Sequence, residues 1–162
     1  MKFLHGTSSD SVEIIKRQGF KPPVYLTTDI DDAEYYAATG GEESLQEREE
    51  QYKKNTGKDA RKHFYPDMWD MYQTLYPTGT YPVVIELDLP DEMVIRLKPD
   101  SGAVGGMVSD FVIRAEAIVG IHPVSWPGQQ VGAIEVATVQ VQRSPRPSQR
   151  SRSRDDAGPS GP

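Results

Sequence analysis

Apolar and polar positions along this chain fall into short runs that alternate between a period near two and a period near 3.6. Met1–His5, MKFLH, reads as a short strand. In SSDSVEIIKRQG, Ser and Asp offer caps, Val12, Ile14 and Ile15 are apolar, Lys16 and Arg17 lie near the end, and Gly19 stops the run. That pattern predicts a helix over Ser8–Gln18. A Lys21-Pro22-Pro23 loop leads to VYLT, Val24–Thr27, a second short strand. Asp29–Thr39 predicts a second helix, with Asp29 or Asp31 as its cap, Ala33, Tyr36 and Ala37 on one face, and Gly40-Gly41 at its end.

The rhythm then changes in kind. EESLQEREEQYKKNTGKDARKH is charged nearly throughout, with Leu45 and Tyr52 as exceptions, and HFYPDMWDMYQTLYP is dense in aromatics. Glu42–Thr78 therefore reads as a helical insertion between core elements: a solvated helix, a break at Gly57, and a second helix around Pro66–Leu75. Beyond Gly79 the strand period returns. Tyr81–Pro90, Glu92–Asp100, one or two strands within Ser109–Trp126 around a turn-like Ala-Glu-Ala, and Val131–Gln142 are the expected strands, with a flexible SGAVGG between them. Strand, helix, strand, helix and then several strands predict an α+β fold with a mostly antiparallel sheet.

Composition changes this picture at the C-terminal end. Apolar residues are 36% of the 162, below the globular norm, and the shortfall is local. RSPRPSQRSRSRDDAGPSGP, residues 143–162, has no large apolar side chain. It cannot bury enough surface to offset its ordering entropy and is expected to be a disordered Arg/Ser/Pro-rich tail. One domain over residues 1–142 is the expected organisation. The tail holds five Arg and two Asp, so with −6 overall the body carries −9. An acidic body argues against an extended phosphate-binding face. There is no cysteine, which excludes disulfides, thiolate metal sites and Cys nucleophiles. No apolar run is long enough to span a membrane, and the first residues lack the apolar core of a signal peptide. A soluble, cytoplasmic, monomeric product is the expectation.

The familiar catalytic signatures are missing: the chain has no GxSxG, HExxH, Walker loop or GxGxxG. His5, His63 and His122 are spaced like no recognised metal site, so no metal is expected. Three pieces remain. LHGTS sets His5 at a strand end with Gly6 permitting close backbone approach. VYLTTDIDDAEYYA carries Tyr25 on a strand and Tyr36, eleven residues on, on a helix. SDFVIR sets a carboxylate, Asp110, at the start of a β-rich run. Singly, such residues are most often structural, a core-rim tyrosine or a turn aspartate.

Together, in this order, they resemble the ADP-ribosyltransferase superfamily, in its His-Tyr-Glu (diphtheria toxin/PARP-like) branch. His5-Gly6-Thr7, Tyr25-Leu26-Thr27 with Tyr36, and Asp110-Phe111-Val112-Ile113 match the branch's motifs, with Asp where the branch has Glu. The likeness covers most of residues 1–38 and 109–126, and leaves out the insertion and the tail. It implies a split antiparallel sheet with flanking helices, and NAD as co-substrate. Tyr25 and Tyr36 would wall a nicotinamide slot, the Gly6 main chain would hold the carboxamide, His5 would bond a ribose hydroxyl, and Thr7 would add a contact. Asp110 would stabilise positive charge developing on the ribose, with Glu86 and Glu116 as alternatives. The implied reaction is mono-ADP-ribosyl transfer to a protein or nucleic-acid acceptor, since the missing Glu is associated with chain elongation; a toxin or phage or mobile-element effector would fit. NAD hydrolysis, RNA 2′-phosphate removal and a non-catalytic binding module of the same fold stand as alternatives. The insertion is expected to form a small satellite core, or else a lid or acceptor platform.

Overall fold

The computed structural model describes residues 1–103 and 105–126. The described residues form a mixed α+β fold with two antiparallel three-stranded sheets. In chain order they build β1 (Lys2–Ser8), α1 (Ser9–Gln18), β2 (Val24–Leu26), α2 (Ile30–Thr39), α3 (Glu42–Thr56), α4 (Ala60–Phe64), α5 (Met68–Leu75), β3 (Pro82–Asp88), α6 (Asp91–Val94), β4 (Lys98–Pro99), β5 (Met107–Ser109) and β6 (Ile118–Pro123). A turn of 3-10 helix, Ala115–Ala117, precedes β6. None of the described helices is long and apolar enough to cross a membrane.

The larger sheet has the order β1-β3-β6, and the smaller β2-β5-β4. β3 is central because it is apolar on both faces: Val83, Val84, Ile85 and Leu87 are all buried. Alternation on β1 sends Phe3 and His5 to one face and Leu4 and Gly6 to the other. The first face joins Phe20, Val24, Leu26, Ile85, Leu87 and Ile113 in the main core between the sheets. The second packs on α2, where Ala33 and Ala37 meet Val84, Val124 and Leu4.

Local chemistry accounts for the helix ends. Asp29 accepts the Asp32 N–H at 3.0 Å and caps α2, and Gly40 ends it in the left-handed conformation, φ 74°. The insertion comprises α3, α4 and α5, and closes its own small core from Leu45, Ala60 and Met71, flanked by Tyr52, Phe64, Met68, Tyr72 and Leu75.

Two expected strands are corrected. Glu92–Asp100 is not one strand. Pro90 starts a short helix with Asp91 and Glu92 in its first turn, and only Lys98–Pro99 is extended. The alternating look of EMVIRL arises because Met93, Val94 and Leu97 face the core from a helical turn. SDFVIR does not begin a strand either. Ser109 Oγ accepts the Phe111 N–H at 3.2 Å and donates to the Phe111 carbonyl at 2.7 Å, a side-chain turn that ends β5. Asp110 therefore follows a strand rather than opening one. The strand expected at Val131–Gln142, the domain end at 142 and the tail lie outside the described residues.

Candidate active site

The two sheets meet edge to edge at β1 and β2, and the meeting is brief. Leu4 and Thr27 exchange N–H···O bonds of 2.7 and 3.0 Å, forming one isolated bridge. The same antiparallel register would next set Gly6 opposite Tyr25, but the ladder stops there and the strands part. Because main-chain groups alternate along a strand, Gly6 turns its N–H and C=O to the side Leu4 uses, away from β3 and into the gap. Donor and acceptor thus sit side by side at a free sheet edge.

His5 stands at this fork. Its Nδ1 lies 2.9 Å from the Tyr25 carbonyl oxygen. A carbonyl only accepts, so Nδ1 carries the hydrogen and Nε2 keeps its lone pair. The ring packs edge-on to Phe20, centroids 5.1 Å apart. Burial pushes the His5 pKa down, opposed in part by the bond to Tyr25. The imidazole is therefore neutral near pH 7, with one nitrogen fixed and the other able to accept from a hydroxyl. Thr7 lies on the same face of β1, half-buried opposite Val83.

Gly6 has a second role beside its free main chain. A Cβ there would overlap the Ala33 carbonyl oxygen and come within 2.6 Å of the Ala37 nitrogen. What the missing side chain leaves room for is α2, so the demand for glycine comes from helix packing.

Tyr25 is 50% exposed between buried Val24 and Leu26, so its ring is on the outer face of the small sheet. Tyr36 is half-buried on α2. Its pKa is raised by desolvation first and then by Asp100, Tyr35, Asp32 and Tyr25, so it remains a neutral phenol.

Asp110 is reached by register. Tyr25 pairs with Val108, and Val108 with Lys98. Paired residues share a face and residue i+2 repeats it, so Asp110, just beyond the strand end, continues the row of Tyr25, Val108 and Lys98. Lys98 Nζ meets Asp110 Oδ2 at 2.9 Å. That hydrogen bond and charge hold the Asp110 carboxyl below its ordinary range.

The two alternative acids differ in setting. Glu86 opposes Leu4 on β3 and shares the α2 face, the opposite face from His5. It is paired with His122 Nε2 and Lys2 Nζ, each at 3.3 Å, and its pKa is lowered chiefly by the His122 bond. Glu116 is an exposed residue of the 3-10 turn. Sequence reasoning missed Lys98, the ion-pair partner of Asp110. A two-residue strand has no period to betray it, and its only signal is a lysine just before Pro99.

No group of metal-ligating residues occurs among the described residues. Compared with protein families, curated proteins and solved structures, the chain gives no match.

Proposed function

We propose that this chain is an NAD-consuming ADP-ribosyltransferase that moves a single ADP-ribose to a macromolecular acceptor. The observation that carries the reading is the fork between β1 and β2. There the Gly6 N–H and C=O are turned into the gap, and His5 is held by Tyr25 as a neutral acceptor. A carboxamide needs one donor and one acceptor side by side, which the Gly6 main chain supplies. A ribose hydroxyl needs an acceptor at a fixed distance, which His5 Nε2 supplies. Tyr25 and Tyr36 offer aromatic walls for a flat heterocycle.

In this reaction the bond between C1′ of the ribose and the nicotinamide nitrogen breaks. Its electron pair passes to the ring, and neutral nicotinamide leaves. A lone pair of the acceptor forms the new bond to C1′, and the acceptor's proton passes to solvent. Charge developing on the ribose, as in glycoside cleavage, calls for a nearby carboxylate. Asp110 is that group in our reading, because it lies on the Tyr25 face and is kept ionised by Lys98.

NAD hydrolysis is the second reading, favoured by the openness of Asp110, whose side chain is 60% exposed, so water can reach the same carbon. RNA 2′-phosphate removal is less well supported, since Lys2 and Lys16 are engaged by Glu86 and Glu13. The test is incubation with NAD labelled in its adenylate half, together with candidate protein and nucleic-acid acceptors. Nicotinamide release with label on an acceptor is expected, and both should be lost in His5→Ala and Asp110→Ala. Release without labelling would indicate hydrolysis. Absence of NAD binding at millimolar concentration in calorimetry would rule out both enzymatic readings.

A further inference from the structure

The helical insertion touches α2 through a continuous line of rings. Trp126 meets Trp69 edge-on with centroids 5.8 Å apart, Trp69 meets Tyr72 at 5.6 Å, Tyr72 meets Tyr35 at 5.8 Å, and Tyr35 meets Tyr36 at 6.2 Å. Every contact is tilted 64° to 82°, the edge-to-face arrangement that aromatic quadrupoles favour. Two polar contacts fasten the same helix from the insertion side. The Tyr76 hydroxyl donates to the Ala37 carbonyl at 3.1 Å, and Arg48 donates to the Ala38 carbonyl at 3.2 Å. On its other side α2 is pressed against Gly6 with no room for a Cβ. Tyr36 therefore stands on a helix gripped from both sides, with its ring braced by Tyr35, which is in turn braced by Tyr72.

From this geometry we propose that Tyr72 is a positioning residue for the nicotinamide slot, acting through Tyr35 to set the orientation of the Tyr36 ring. The inference rests on the ADP-ribosyltransferase reading for its consequence, but not for its geometry. It gives the insertion a task beyond closing its own small core: α5 is the back support of one slot wall. The bracing is made of ring edges, so it requires an aromatic side chain at 72. Phenylalanine should suffice, and an aliphatic residue of similar bulk should not.

Tyr72→Leu, Tyr72→Phe and Leu75→Ala are the variants. Leu75 packs on the same satellite core and is outside the line of rings, so it reports general loosening. The first readout is the fluorine resonance of Tyr36 in full-length protein labelled with 3-fluorotyrosine, assigned through Tyr36→Phe. It should shift in Tyr72→Leu and hold in Tyr72→Phe and Leu75→Ala. The second is nicotinamide release against NAD concentration. KM for NAD should rise about five-fold in Tyr72→Leu, the loss of one aromatic pair, with kcat changed less and Tyr72→Phe near wild type. A Tyr36 resonance and KM unmoved in Tyr72→Leu, or moved equally by Leu75→Ala, would overturn the proposal. Wild-type protein that releases no nicotinamide would instead refute the enzymatic reading, and the Tyr36 resonance would still decide the bracing.

Discussion

Two adjacent residues on β1, His5 and Gly6, bring different physical demands to the site. Gly6 answers to packing. Gly6→Ala should cost about 2–3 kcal/mol in urea unfolding, because the new methyl meets main-chain atoms of α2 that cannot step aside as a side-chain tip would. A variant as stable as wild type would show that α2 can retreat. His5 answers to electrostatics. Its pKa is lowered in the fold, so between the depressed value and the ordinary one the unfolded chain binds a proton that the native protein does not. Its contribution is therefore fully present above about pH 6.5, and stability declines as pH falls below that. His5→Gln, which keeps a donor for the Tyr25 carbonyl but does not titrate there, should flatten this part of the stability profile. Denaturant melts between pH 7.5 and 5 would measure the difference.

At the scale of elements, β2 separates core from surface within three residues. Val24 and Leu26 are core, while Tyr25 points outward. Tyr25→Ala should leave stability within about 1 kcal/mol of wild type, as expected of an outward residue on a short strand. On the proposed reading the same change should depress nicotinamide release by an order of magnitude or more, and Tyr25→Phe should restore most of it because the ring would form the slot wall. Equal losses of stability and activity in Tyr25→Ala would make the ring structural. The sequence allowed much of this to be read in advance. α1, β2 and α2 announce themselves through caps, period and glycine stops, so the spacing of His5, Gly6, Tyr25 and Tyr36 was legible. The segment after β3 was not. EMVIRL alternates like a strand but turns as a helix, because Pro90 opens it with Asp91 and Glu92 in the first turn. The ending of β5 depends on the Ser109 hydroxyl bonding its own neighbourhood, which leaves no periodic trace. The line of rings was visible as aromatic density in the insertion. Its direction, from Trp126 to Tyr36, depends on which helix faces meet, and sequence spacing does not carry that.

At the scale of the whole molecule, the two sheets enclose one core, yet among the described residues a single isolated bridge, Leu4 with Thr27, stitches β1 to the end of β2. The His5 bond to the Tyr25 carbonyl adds a second tie at the fork. Contrast this with the other side of the gap, where α2 is locked against β1 at Gly6 and fastened by Tyr76 and Arg48. The two sides of the fork are mechanically lopsided, with an anvil on the α2 side and a spring on the β2 side. Amide hydrogens of β2 and β5 should accordingly exchange faster than those of β1 and β3, because fewer main-chain bonds must break to release them. Anything that bridged the fork between β1 and β2 would stiffen the small sheet first, and its grip would register as slowed exchange on β2 and β5 while α2 kept the same tempo.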